Sequence, residues 1–163
     1  MLNLFKKAIV NSQRAKARHA LKSEDMVTLQ HYQSIPVFTS DNFIFGRVGI
    51  KGRPHVQTIV TGGSPTFMIN EFFGNLKHEV RNTFLAIEKA HIDLGHYGHI
   101  QNPNILELQK AADIFATEFY VADVAYALSY IRDNCNLPDA LITEYNARIY
   151  AINHHTMGES SNV

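Results

Sequence analysis

What most constrains the fold of this chain is a change of period at Asn70. Between Ser34 and Asn70 the apolar residues come in short runs: Ile35 to Thr39, Asn42 to Ile50, His55 to Thr61 and Thr66 to Asn70. They are separated by Pro36, Asp41-Asn42, Lys51-Gly52-Arg53-Pro54 and Gly62-Gly63-Ser64-Pro65. Runs of this length bounded by turn residues predict strands, here a small meandering sheet of three or four. Beyond Asn70 the spacing turns helical. Leu76, Val80, Phe84, Ile87, His91 and Leu94 recur at three- and four-residue steps, which puts them on one face of a helix from about Leu76 to Leu94, with Gly95 as its stop. Strands gathered first and helices afterwards define an α+β domain rather than an alternating α/β one.

Further helices follow. One spans Ile105 to about Tyr120 and carries Leu108, Ala111, Ala112, Phe115 and Phe119; another spans about Val121 to Asp133. A last helix reaches roughly Asn153, with Pro138 suited to its first turn. At the other end, residues 2 to about 22 hold Lys6, Lys7, Arg14, Lys16, Arg18 and Lys22 with no acidic residue. Leu2, Phe5, Ile9 and Val10 share one face there, so the segment reads as a basic amphipathic helix. Two roles fit it. It is a terminal helix whose apolar stripe packs on the body while its lysines are solvated, or an arm for nucleic acid, a membrane surface or an acidic partner. The division expected is a basic helix over 1–24, a single α+β domain over 25–157 and a disordered tail over 158–163.

Composition removes several function classes. Fifteen basic and fifteen acidic residues cancel, so no wholesale attraction to polyanions is expected. The single cysteine, Cys135, excludes an internal disulfide and a cysteine-based zinc finger, and it fits a reducing compartment. With no transmembrane-length apolar run and a poor signal peptide, the expected location is the cytoplasm. A Gly-x-Ser-x-Gly elbow is missing, and Gly62-Gly63-Ser64-Pro65 lacks the Lys-Ser/Thr of a phosphate-binding loop.

One stretch carries chemistry. Thr66-Phe-Met-Ile-Asn70-Glu-Phe-Phe73, then Leu76, then Phe84-Leu-Ala-Ile-Glu-Lys-Ala-His-Ile-Asp-Leu-Gly-His96 resembles the edge strand and active-site helix of small zincin metallopeptidases of the gluzincin type. That helix carries His-Glu-x-x-His, two zinc ligands one turn apart and a general base between them. Downstream, Gln109-Lys-Ala-Ala-Asp113-Ile-Phe-Ala116 resembles the family's second signature, Glu-x-x-Ala-Asp-x-Phe-Ala. The likeness covers about Thr66 to Phe119, a third of the chain.

Carried over by position, the resemblance makes Glu88 the remnant general base, His91 the remaining histidine ligand and Asp113 a group behind the ligands. The other two ligand positions hold Ile87, which cannot bind metal, and Gln109, whose neutral amide rarely binds zinc. Alternative donors are His96 and His99, which join His91 only if the chain turns at Gly95. The expectation is a metallopeptidase-like protein, of a kind found in bacteria and phages, with a decayed zinc site and no cofactor. It would act by binding a protein partner or by self-association. A peptide could dock along the sheet edge at Thr66 to Asn70. Two alternatives stand beside it: a zinc-dependent peptidase using substituted ligands, and a nucleic-acid-binding protein acting through Lys6, Lys7, Arg14, Lys16 and Arg18.

Overall fold

The computed structural model describes residues 43–46, 49–61, 64–96 and 101–159, excepting the side chains of Phe43, Phe45, Thr61, Ser64 and 156–159. The expected basic helix with its five named cations, the expected strand at Ile35 to Thr39, His99 and the last four residues of the tail lie outside these residues. Strands β1 (Phe43–Phe45), β2 (Val56–Thr61) and β3 (Ser64–Ile69) are followed by five helices. These are α1 (Glu71–Gly74), α2 (His78–Asp93), α3 (Ile105–Phe119), α4 (Val124–Asn134) and α5 (Asp139–Glu159). Mixed α and β structure with the strands first is the architecture the period change predicts. Among the described residues, no helix is long and apolar enough to cross a membrane.

The sheet differs from the expected meander. β2 and β3 form an antiparallel hairpin, Thr61 opposite Ser64, but β1 pairs parallel with β3, giving the order β1-β3-β2. The strand read as a docking edge, Thr66 to Asn70, is therefore central and has partners on both sides. Its side chains account for the position: Phe67 and Ile69 are fully buried, as suits an inner strand. β1 is also shorter than the Asn42 to Ile50 run, whose last two residues, Gly49 and Ile50, lie in a bend. Gly49 has φ +71°, and a Cβ there would lie 2.8 Å from that of His55, so the tight approach of the two segments needs glycine.

Asn70 ties this turn region to the start of the helical half. Its Oδ1 accepts from the backbone N–H of Phe73, capping α1, and from that of His55, while its Nδ2 donates to the Arg53 carbonyl. Arg81 then fastens the link between α1 and α2 by donating from Nη1 to the carbonyls of Gly74 and Leu76. Leu76 consequently precedes α2 instead of opening it.

Helix α2 is the centre of the molecule. From Val80 to His91 every residue but Phe84 is buried, more than the single apolar face that its spacing predicts. Against it, α3 buries Ala112, Asp113 and Ala116. Ala86, Ala90, Ala112 and Ala116 are all fully buried in one cluster, and such small side chains let two helices approach closely. Tyr120, Val124 and Leu128 extend that core, and Ile152 of α5 closes it. Burial of each large apolar side chain in such a core stabilises the fold by about 1.5–3 kcal/mol. The apolar face expected for α3 is offset: Ala111 and Phe119 point outward, Phe119 being 58% exposed, because the alanines take the contact with α2.

The helix ends at Gly95 and Pro138 follow ordinary capping rules, and the one at Val121 does not. Gly95, φ +71°, lets the His96 N–H reach the His91 carbonyl at 2.8 Å, a left-handed C-terminal cap after α2. Pro138 accepts at its carbonyl from the Ile142 N–H at the start of α5. After α3, by contrast, the left-handed position is held by Val121, φ +54°, with Ala122 N–H closing onto the Ala116 carbonyl. A β-branched residue rarely adopts that conformation. Asn82, buried in α2, is a second local mismatch: neither side-chain polar atom has a hydrogen-bond partner among the described residues.

Candidate functional site

The turn at Gly95 brings His96 back onto α2. Its Nδ1 lies 3.1 Å from Nδ1 of His91, and Nε2 of His91 lies 3.1 Å from Oε1 of Gln109 on α3. Two of the ligand positions implied by the resemblance, His91 and Gln109, are thus in direct contact across the α2–α3 crossing. Each ring nitrogen of His91 thus faces a side-chain hydrogen-bonding group, Nε2 the Gln109 amide and Nδ1 the His96 ring. Partial burial pushes the His96 imidazole below its ordinary 6.5.

This arrangement does not fit a zinc ion. The two nitrogens of an imidazole point in opposite directions, so Gln109 and His96, held through opposite nitrogens of His91, cannot meet on one cation with it. Ile87, where a first histidine ligand would stand, is 2% exposed and packs in the main core with Phe67 and Leu85. Among the described residues, no three His, Cys, Asp or Glu side chains are grouped to hold a metal. His154 and His155 also part company: one faces the Tyr150 carbonyl and the other pairs with Glu118.

Glu88 turns the other way, toward the sheet. Its Oε2 accepts from the backbone N–H of Thr58 at 2.8 Å and from the Thr58 hydroxyl at 2.7 Å. The β2–β3 register, with Asn70 N–H bonded to the His55 carbonyl, turns the backbone groups of Val56, Thr58 and Val60 away from β3. Glu88 therefore caps one position on the outer edge of the hairpin. Burial, opposed by the two Thr58 bonds and by the charge of Arg148, pushes its carboxyl from 4.5 to about 7.

Asp113 lies fully buried on α3 and receives both Nε and Nη2 of Arg148, each at 2.7 Å, from α5. Burial pushes the Asp113 carboxyl above its ordinary 3.8, against the charge and hydrogen bonds of Arg148. Nη1 of Arg148 faces Oε1 of Glu144 at 3.5 Å. Both carboxylate oxygens of Asp113 are thus taken by one arginine. Sequence reading omitted Arg148, although a signal existed: Leu141, Tyr145, Arg148 and Ile152 share a helical stripe, and a charge set in an apolar stripe asks for a partner. For Thr58 there was no comparable signal.

Ile87, Glu88, Gln109, Glu144 and Arg148 line one cavity of about 360 Å³. The same cavity is also lined by Arg53, His55 and Val56 on the sheet side, Phe84 of α2, and Leu141 and Tyr145 of α5. Mostly apolar walls with a few converging polar groups are the usual make-up of a binding pocket. The class so defined is an α+β domain with a small mixed sheet, a buried central helix and a cleft holding a buried carboxyl. Comparison with known proteins gives no closer placement: no family model, no curated protein and no solved structure matches the chain.

Proposed function

We propose that this protein is a metallopeptidase-like domain whose zinc site has decayed, and that it works by binding a protein segment in the cleft between β2 and helices α2, α3 and α5. The observation that carries the reading is the 3.1 Å contact between His91 Nε2 and Gln109 Oε1: two side chains at ligand positions satisfy each other. The neighbouring positions are engaged in the same manner, Ile87 in the core, Glu88 on Thr58 and Asp113 on Arg148. Oε2 of Glu88 is held by two hydrogen bonds from Thr58 of β2. The docked segment would pair with the outer backbone groups at Val56, which also lines the cavity, a form of strand addition.

Two measurements test this. Ile87→His combined with Gln109→Glu restores three ligands and is expected to yield about one zinc per chain by elemental analysis, against none for the natural protein. A double mutant that folds but stays free of metal would remove the metallopeptidase likeness. Separately, an extended peptide should shift the amide signals of residues 54–58 and 84–88; unchanged signals across a peptide library would remove the docking role.

A further inference from the structure

An antiparallel strand presents its backbone groups alternately to its two sides, and β2 has a strand partner on one side only. With Thr58 opposite Phe67 and the Asn70 N–H on the His55 carbonyl, the groups of Val56, Thr58 and Val60 face away from β3. An open edge of this kind invites pairing with a further strand. On β2 the middle outer position is already taken. The Thr58 N–H donates to Oε2 of Glu88 at 2.8 Å, and the Thr58 hydroxyl donates to the same oxygen at 2.7 Å. An N–H carries one hydrogen, so while Glu88 holds it no carbonyl of an added strand takes that place. Bonds on an antiparallel edge come in pairs at every second residue. With the Thr58 donor occupied, the outer groups of Val56 and Val60 stand about 13 Å apart along the strand, at about 3.3 Å per residue.

Glu88 also has somewhere to go. It lines the cavity beside the strand together with Arg53 and Arg148, and the charge of Arg148 favours its ionised form. A carboxylate released from Thr58 thus turns into a space walled in part by cations, and not into an apolar core. We propose that Glu88 is a gate on the β2 edge: it fills the place of one carbonyl of an added strand, and a docked segment pairs along the whole edge only by displacing it into the cavity. This rests on the reading of the cleft as a docking site for a protein segment, and adds how that site is held closed. The partner so admitted is an extended segment with free backbone carbonyls, since the donor being guarded is a main-chain N–H that the carbonyl of any residue satisfies.

The test uses the full chain at a pH of about 8, above the Glu88 midpoint of about 7. The probe is an acetylated and amidated peptide of 6 residues, alternating valine and threonine and matched in length to β2, with a fully N-methylated copy as control. Titration calorimetry gives the affinities, and NMR gives the exchange rate of the Thr58 amide. Glu88→Met keeps the length of the side chain and removes the acceptor. It should bind the peptide at least about tenfold tighter than the wild type, the lower bound for releasing one hydrogen bond to a charged acceptor, with Thr58 exchange at least about tenfold faster. Glu88→Gln still offers an oxygen to Thr58 and should stay closer to the wild type than to Glu88→Met. Thr58→Val removes the hydroxyl bond but leaves the N–H, and as the milder variant it should show a smaller gain in the same direction. Equal affinities of the wild type and both Glu88→Met and Thr58→Val would overturn the gate and leave docking intact. Peptide binding to none of the proteins would overturn docking itself. An equal gain with the methylated peptide would overturn strand pairing as the mode. Dimers of Glu88→Met that exclude the peptide would give the edge to a second copy of the chain and overturn a separate segment as its occupant.

Discussion

Replacing Glu88 by glutamine isolates one charge at the heart of the cleft. In the folded chain this carboxyl titrates near 7, against an ordinary 4.5, because burial outweighs the Thr58 hydrogen bonds and the charge of Arg148. Between those two values the folded state holds a proton that the unfolded state has released, so stability falls as pH rises. The contribution is whole below about 4.5 and is lost as the pH passes through about 7. At about 1.36 kcal/mol per pH unit, a displacement of this size amounts to about 3 kcal/mol. Glutamine has the shape of the protonated carboxyl and keeps an acceptor for Thr58, yet cannot ionise. Urea denaturation of both proteins from about pH 5 to about pH 8.5 reads the difference directly. The wild type should lose about 3 kcal/mol relative to the variant across that range. Other titratable groups on the cavity, including His55, Glu144 and Arg148, are common to both proteins and drop out of the difference. Parallel profiles would refute the argument, since they would mean that Glu88 ionises as readily folded as unfolded.

Three further perturbations follow from the packing. Asp113→Asn leaves the Arg148 guanidinium buried without its counter-charge and should cost about 3–5 kcal/mol, read by urea denaturation; a loss under about 1 kcal/mol would mean that water reaches the pair. Val121→Gly relieves a left-handed β-branched residue at the end of α3 and should gain about 1 kcal/mol despite the added freedom of the unfolded chain. A lowered melting temperature in that variant would argue against strain at Val121. Asn82→Leu keeps the volume while removing a buried amide that lacks partners, with an expected gain of about 1–2 kcal/mol; destabilisation would reveal a hydrogen bond to Asn82 in solution.

Much of the helical half was legible because its signals are local. The stripe Val80, Phe84, Ile87 and His91 located α2, and glycine at position 95 marked its end, since few other residues adopt the left-handed cap readily. Sheet order was not legible. Strand lengths and turn residues between 55 and 70 announce a hairpin, but nothing in Phe43 to Phe45 says that it pairs parallel with the second arm of that hairpin. Register between distant segments depends on tertiary packing. The same limit applies to the cleft. His91 and Gln109 could be paired by position, because both lie on helices in the order the resemblance requires. Thr58 on Glu88 and Arg148 on Asp113 depend on elements 30 and 35 residues apart meeting at particular side chains. For Arg148 a charge within an apolar stripe gave notice; for Thr58 an ordinary strand threonine gave none.

Helix α2, wrapped by strand β2 and helices α3 and α4, has a consequence for the timing of its motions. Between Val80 and His91 its backbone has little route to solvent through fraying of one face, since neighbours cover every residue there but Phe84. Proton exchange there must wait for an opening that unpacks the sheet and the other helices together, so it reports the stability of the whole domain. Glu88 and His91 therefore stand on the slowest-exchanging part of the molecule. Whatever enters the cleft therefore meets, in Glu88, a side chain already set in place.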